Sequence, residues 1–60
     1  MKFNIGQTVL VVRSGWHKFD SFDLVKVIGY NYEWKKYVCN KGHNTCYMYE
    51  EEIAEYKGVV

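Results

Sequence analysis

The amino-acid sequence predicts a single, small, mostly β domain built around one thin core. Its 60 residues suffice for one domain, and a chain of this length buries only about 60% of the surface that its unfolded form exposes. Hydrophobic residues make up 48% of the chain and aromatic residues 18%, which is too apolar a composition for a disordered segment. Short runs rich in β-branched and aromatic residues alternate with turn-forming Gly and Asn, which predicts five short strands.

The first two strands are predicted on either side of a long loop. Residues 8–13 contain four apolar residues in succession, which indicates a central strand with both faces covered. Residues 14–21 have neither a strand nor a helix period and are expected to form the loop. In the second strand, residues 22–30, Lys26 marks the more solvated face, and Gly29 predicts a bulge because it has no side chain to pack.

The remaining elements follow at short intervals. A turn at 31–35 leads into a third strand at 36–39, and an Asn- and Gly-rich turn at 40–44 leads into a fourth strand at 45–49. A helix over 49–56 would place apolar residues on one face, but helices this short are marginal in water and no capping residue precedes it. We therefore favour one helical turn at 50–52 and a closing strand at 53–56.

Three segments carry a resemblance that covers nearly the whole chain. They are residues 3–11 before the long loop, residues 25–30 after it, and residues 49–53 before the last strand. In this order they resemble the small SH3-like β-barrels, such as the KOW and Tudor-like modules. The resemblance implies a five-stranded SH3-like barrel with one short helical turn near residues 50–52. It implies no particular activity, because barrels of this type have many unrelated functions.

The predicted binding site consists of aromatic and basic residues in two loops, 14–21 and 31–36, which flank one groove in a small barrel. Rings beside lysines suit an extended peptide, with Lys or His selecting an acidic side chain. The low net charge of +1 favours such a protein partner. The alternative that several of these rings only close the ends of the barrel stays open. The predicted partner-binding residues are Trp16, His17, Lys18, Phe19, Tyr32, Trp34, Lys35 and Lys36.

A second possible function uses the same rings. Aromatic side chains also stack on bases, and lysines pair with phosphates, so Lys18, Lys35 and Lys36 define an alternative nucleic-acid-binding module. A third alternative is a homodimer, because an exposed aromatic groove or an unpaired strand edge is often buried between two copies. No membrane partner is expected.

Cys39, His43 and Cys46 surround the turn between the third and fourth strands. Zinc sites use Cys and His clustered on hairpins, but a fourth ligand is missing, so we predict no metal or other cofactor and keep these three only as candidate ligands. If residues 41–44 form a four-residue hairpin loop, Cys39 and Cys46 lie directly opposite each other. Opposed cysteines can pack as small hydrophobes, form a disulfide or bind a metal, and we favour packing as free thiols.

The acidic residues near the end of the chain are interpreted as a solvated turn, and they are Glu50, Glu51, Glu52 and Glu55. No nucleophile motif or phosphate-binding loop is present in the sequence, so no enzyme activity is expected. The opening residues lack the apolar core of a signal peptide, and we expect a cytoplasmic protein. The sequence is therefore interpreted as a non-catalytic protein-interaction or regulatory module. Its size and its initial Met suggest an accessory protein of a phage or mobile element.

Overall fold

A computed structural model describes residues 2–13, 15 and 17–58 of the chain. Within these residues the regular structure is almost entirely β, as predicted. The short helical turn at 50–52 is confirmed, together with the strand that follows it, so the helical interpretation of 49–56 is wrong. Strand boundaries differ from the predicted ones by at most two residues. The elements are β1 (Thr8–Val11), β2 (Leu24–Asn31), β3 (Lys36–Lys41), β4 (Asn44–Met48), a 3₁₀ turn (Glu50–Glu52) and β5 (Ile53–Glu55).

The five strands form one antiparallel sheet in the order β4-β3-β2-β1-β5. Strands β1 to β4 follow one another across the sheet, and β5 returns to the free side of β1, which is therefore an interior strand as predicted. The two edges, β4 and β5, do not pair with each other in the described part of the chain. The sheet is thus open, and its closure into a barrel is not confirmed.

A β-bulge interrupts the pairing of β2 with β3. Val27 lies opposite Cys39, whereas Gly29 lies opposite Val38, so Ile28 is the extra residue. This confirms the bulge predicted at Gly29. Because the bulge inserts one residue, the side chain of Tyr30 returns to the same face of the sheet as that of Val27.

The turn between β3 and β4 fixes the register of the two cysteines. Gly42 occupies the first position of this two-residue turn with φ of +61°, a conformation that a glycine adopts without steric cost. Lys41 pairs with Asn44, and two residues further along each strand Cys39 pairs with Cys46. The direct opposition of the cysteines is therefore confirmed, although the loop has two residues and not the predicted four, because Lys41 and Asn44 already pair.

The core lies on one face of the sheet, which we call the inner face. Every second side chain of the strands points to this face and forms the core. Phe3 and Phe19, which lie outside the strands, pack against these side chains. The prediction that both faces of the first strand are covered is wrong, because Val12 is 42% exposed and Leu10 only half-buried. The buried core residues are Phe3, Val9, Val11, Phe19, Val25, Val27, Tyr37, Cys39, Met48 and Ile53.

Tyr37 connects the N-terminal segment to this core. Its hydroxyl oxygen accepts hydrogen bonds from the backbone N–H groups of Lys2 at 2.7 Å and Phe3 at 3.1 Å. Its ring meets the ring of Phe3 edge to face at 5.3 Å and that of Tyr30 at 4.8 Å. Since Tyr37 is only 2% exposed, these contacts satisfy its polar group where water cannot reach it.

The acidic turn is only partly solvated. Glu50, Glu51 and Glu55 are exposed, as expected, but Glu52 is 7% exposed. Its Oε1 accepts a hydrogen bond from the backbone N–H of Tyr49 at 2.7 Å, so the buried carboxylate has a partner. Its other oxygen lies so close to Gly15 that a Cβ built on this glycine would collide with it. The interpretation of Glu52 as a surface charge is therefore wrong, because it closes the turn against the β1–β2 connection.

In the described residues, no helix has the length and apolar composition needed to cross a membrane.

Candidate functional site

The two loops predicted to flank one groove lie at opposite ends of β2. Connections in an antiparallel meander alternate between the ends of the sheet, so the β1–β2 connection shares an end with the β3–β4 turn. Two contacts show this: the Nζ of Lys41 lies 2.9 Å from Oδ1 of Asp23, and the N–H of Lys18 points at Sγ of Cys46 at 3.4 Å. Among the described residues, no hydrogen bond, ion pair or ring contact joins 17–19 to 32–36.

The β1–β2 connection contributes mainly to the core. Phe19 is 7% exposed and packs on the inner face, so the prediction that it lines a binding groove is corrected. His17 is half-buried, and its ring accepts a hydrogen bond at Nδ1 from the N–H of Phe19 and contacts the carbonyl oxygen of Arg13 through Nε2. Lys18 is exposed, and Trp16 lies outside the described residues. An open sheet needs cover for its inner face, which explains why the ring of Phe19 turns inward.

The turn between β2 and β3 sends its two rings to opposite faces of the sheet. The Tyr32 ring lies 4.9 Å from that of Tyr30, on the inner side, whereas the Trp34 ring lies 5.4 Å from that of Tyr47, on the outer face. Both are accessible, with Tyr32 73% and Trp34 55% exposed. Lys35, which is also exposed, takes the left-handed backbone conformation in this turn.

Five side chains form a continuous patch on the outer face of β3 and β4, which we call the outer aromatic surface. Val38 lies opposite Tyr47 across the two strands, and Nζ of Lys36 lies 4.4 Å from the ring centre of Tyr49. Tyr47 is 40% exposed and Tyr49 45% exposed, so with Trp34 they present three ring systems to solvent, and one ammonium group lies beside the ring of Tyr49. The members of the surface are Trp34, Lys36, Val38, Tyr47 and Tyr49.

Tyr47 and Tyr49 were absent from the predicted site, although the sequence carries a signal for them. They alternate with Cys46 and Met48 along β4 and the extended residue that follows it, and side chains in extended chain point to alternate faces. Since Cys46 and Met48 face the core, Tyr47 and Tyr49 must face outward. Two of the three rings of the outer aromatic surface therefore lie outside the loops from which the site was predicted.

A further exposed ring occurs at the other end of the molecule. Phe22 is 73% exposed and has φ of +68°, a backbone conformation that is rare for a bulky residue. The hydrogen bond from its N–H to the carbonyl oxygen of Val11, at 2.6 Å, holds it in place. No sequence pattern identifies such a residue, because its unusual backbone conformation depends on the position of β1.

The cysteine pair lies at the inner face. Both thiols are free; Cys39 is fully buried and Cys46 half-buried. Burial, and secondarily the neighbouring Cys46, raise the pKa of Cys39 to about 11. His43 is exposed in the turn, and in the described ranges no three His, Cys, Asp or Glu side chains are grouped to hold a metal ion.

Comparison with known proteins adds no family to this description. No protein-family model matches the chain, and no curated protein or solved structure matches it significantly. Function must be inferred from the surface itself. Besides the outer aromatic surface, the molecule has a shallow depression of about 220 Å³ lined by Lys2, Phe3, Asn4, Gln7 and Glu55.

Proposed function

We propose that this chain is a non-catalytic protein-interaction module that binds its partner through the outer aromatic surface. The observation that carries the proposal is the pair of exposed rings of Trp34 and Tyr47, 5.4 Å apart. Trp and Tyr are the residues most enriched among the energetic anchors of protein interfaces. Adjacent large rings left in water are typical of a surface that a partner covers.

The chemistry of the surface defines the partner. The rings of Trp34 and Tyr47 offer apolar contact area, and Lys36 offers a cation held 4.4 Å from the Tyr49 ring centre. A protein segment with an apolar anchor beside a carboxylate fits both features, because the carboxylate pairs with Lys36 while the anchor excludes water.

A nucleic-acid partner fits the surface less well. The exposed side chains of Glu33, Glu50 and Glu51 adjoin the outer aromatic surface in sequence, and their charges oppose a phosphate backbone. Lys18, which the alternative requires, lies at the other end of β2. The net charge of +1 supplies little attraction at long range. These charges favour protein over nucleic acid.

The same proposal includes a fold of the SH3-like barrel class and a regulatory role in the cytoplasm, as in accessory proteins of phages or mobile elements. The strand order β4-β3-β2-β1-β5 and the 3₁₀ turn before β5 support the fold. The free thiols of Cys39 and Cys46 are consistent with a reducing compartment. The depression of about 220 Å³ is smaller than the ligand pockets of about 300 to 1,000 Å³ found in proteins, and we propose no catalytic site in it.

The proposal is tested by affinity capture from the native cell with the wild-type chain and with Trp34→Ala, each with and without nuclease. We expect a protein that the wild type retains after nuclease treatment and that Trp34→Ala loses. Tyr32→Ala is the matched control, since it removes a more exposed ring on the other face of the same turn. Capture that nuclease abolishes would favour the nucleic-acid alternative, and capture that survives Trp34→Ala would contradict the proposed surface.

A further inference from the structure

Strand β4 forms one edge of the sheet, and half of its main-chain groups point away from β3. Hydrogen-bonded pairs alternate along an antiparallel ladder, and a two-residue turn closes on such a pair, here Lys41 with Asn44. The even-numbered residues of β4 therefore bond to β3. Thr45 and Tyr47 direct their N–H and C=O groups outward, where the described residues supply no partner.

This edge lacks the features that keep other edges from pairing. The five residues of β4, Asn44–Met48, include no charged residue and no proline, and their pairing with β3 runs without a bulge. The opposite edge, β5, has only three residues and ends on the exposed Glu55. Of the two edges, β4 is therefore the one open to addition of another strand.

Glu52 limits the register of such an addition. The next outward N–H group along the chain belongs to Tyr49, and Glu52 Oε1 already accepts its hydrogen bond at 2.7 Å. An antiparallel pairing of two copies centred on Tyr47 would need this N–H group. A pairing centred on Cys46 needs only Thr45 and Tyr47, whose outward groups have no described partner.

We propose that two copies of the chain pair antiparallel through β4, with Thr45 of each copy opposite Tyr47 of the other. Each of these two residue pairs exchanges two main-chain hydrogen bonds. The contact is two-fold and self-complementary, as in most homodimers, and the net charge of +1 per chain gives little repulsion. Because the dimer uses the edge of β4, the outer aromatic surfaces of both copies stay available for a partner.

The two-fold arrangement places Cys46 of one copy directly opposite Cys46 of the other. This residue pair is not hydrogen-bonded across the new contact, so its Cα atoms lie about 4.5 Å apart. That separation is within the range of about 4.4 to 6.8 Å found in disulfides. Cys46 thus reports on the register as well as on the presence of the dimer.

Sedimentation of the full chain over a wide range of concentration measures the association, and Thr45→Pro tests the edge. We expect the wild-type mass to rise from 7.2 kDa toward twice that value. Thr45→Pro removes an outward N–H group without removing a bond to β3, and we expect it to stay monomeric. Thr45→Val is its control, because it too lacks the hydroxyl that bonds to Asn40 but keeps the N–H group, and it should dimerise like the wild type.

The register is tested by oxidising Cys39→Ala with diamide, so that Cys46 is the only thiol. Two thiols lose two protons and two electrons to diamide and form one disulfide, and we expect a covalent dimer. A wild type that stays monomeric at every concentration, a dimer that Thr45→Pro leaves intact, or a dimer whose Cys46 residues do not crosslink would overturn the proposal. If Thr45→Pro does not fold, a synthetic chain with a methyl group on the backbone nitrogen of Tyr47 replaces it in the experiment, because that chain lacks the other outward N–H group.

The dimer is distinguished from the proposed partner surface by Trp34→Ala. This substitution leaves the edge of β4 unchanged, so the variant should lose partner binding and keep the dimer.

Discussion

Two aromatic clusters lie on opposite faces of the β3–β4 region, and they behave differently. In the inner cluster, Tyr37 stacks edge to face with Phe3 and Tyr30, and its hydroxyl is hydrogen-bonded to the N-terminal segment. In the outer cluster, Trp34 and Tyr47 lie at a similar ring separation, 5.4 Å, but both remain accessible. For the two strand tyrosines, Tyr37 and Tyr47, strand parity and not residue type therefore decides which ring stabilises the fold and which is left for a partner.

The largest difference between the clusters is expected from removing one ring of each. Tyr37→Ala should lower the free energy of unfolding by about 3 to 5 kcal/mol, because it leaves a cavity among buried rings. For a domain of this size that loss is comparable with the whole stability. Tyr47→Ala should cost less than about 1 kcal/mol, since that ring is 40% exposed on the outer face and its removal leaves no cavity in the core. Urea unfolding of both variants measures the contrast, and equal losses would contradict the separation of the faces.

A subtler change in the inner cluster isolates its polar contacts. Tyr37→Phe keeps the ring but removes the acceptor for the N–H groups of Lys2 and Phe3. We expect a loss of about 1 to 3 kcal/mol, because these N–H groups lose their partner. Hydrogen exchange should show the N-terminal segment opening more often in this variant than in the wild type. An unchanged exchange rate at Phe3 would show that ring packing alone holds the segment.

The two cysteines of the inner face differ in burial, since Cys39 is fully buried and Cys46 is half-buried. The pKa of Cys39 is raised from 9.0 to about 11 in the folded state. Between these two pH values the thiol therefore stays protonated in the folded chain, whereas in the unfolded chain it ionises. Stability should therefore fall as pH rises from about 9 to about 11, and this fall should be smaller in Cys39→Ala.

Alkylation provides a second measurement on the same pair. At mildly alkaline pH, iodoacetamide should modify Cys46 in the folded chain and Cys39 only after unfolding, since the thiolate is the reactive form. Equal rates at the two thiols would show that Cys39 is accessible and would place the inner face in contact with solvent.

The smallest effect is expected at a partly exposed ion pair, Lys41 with Asp23, away from both clusters. The hydrogen bond from Lys41, followed by that from the N–H of Asp20, lowers the pKa of Asp23 below 3.8. The contribution of this ion pair to the stability of the fold is therefore present above about pH 3.8, and it is lost as the pH falls through the lowered pKa of Asp23. Asp23→Asn should remove this part of the acid dependence and change stability only slightly at neutral pH, which acid titration of unfolding would detect.

Much of the fold followed from local patterns, whereas the site depended on tertiary structure. Gly29 predicted the bulge and the Asn- and Gly-rich turn predicted the opposed cysteines, because each depends on neighbours in sequence, whereas the helical turn at 50–52 belongs to the order of elements that the resemblance to SH3-like barrels implies. The inward position of Phe19 and the split between Tyr32 and Trp34 could not be predicted in this way. Side chains in loops do not alternate between two faces. The direction in which each one points therefore depends on which part of the inner face of the open sheet would otherwise be exposed to water.

The claim that the outer aromatic surface is the recognition surface is tested most directly by the affinity of a captured partner for two variants of one turn. Trp34→Ala should weaken binding about thirtyfold, which corresponds to roughly 2 kcal/mol. Tyr32→Ala, which removes a more exposed ring on the inner side, should change the affinity less than about twofold. An equal loss in both variants, or a larger loss at Tyr32, would contradict the assignment of binding to the outer face.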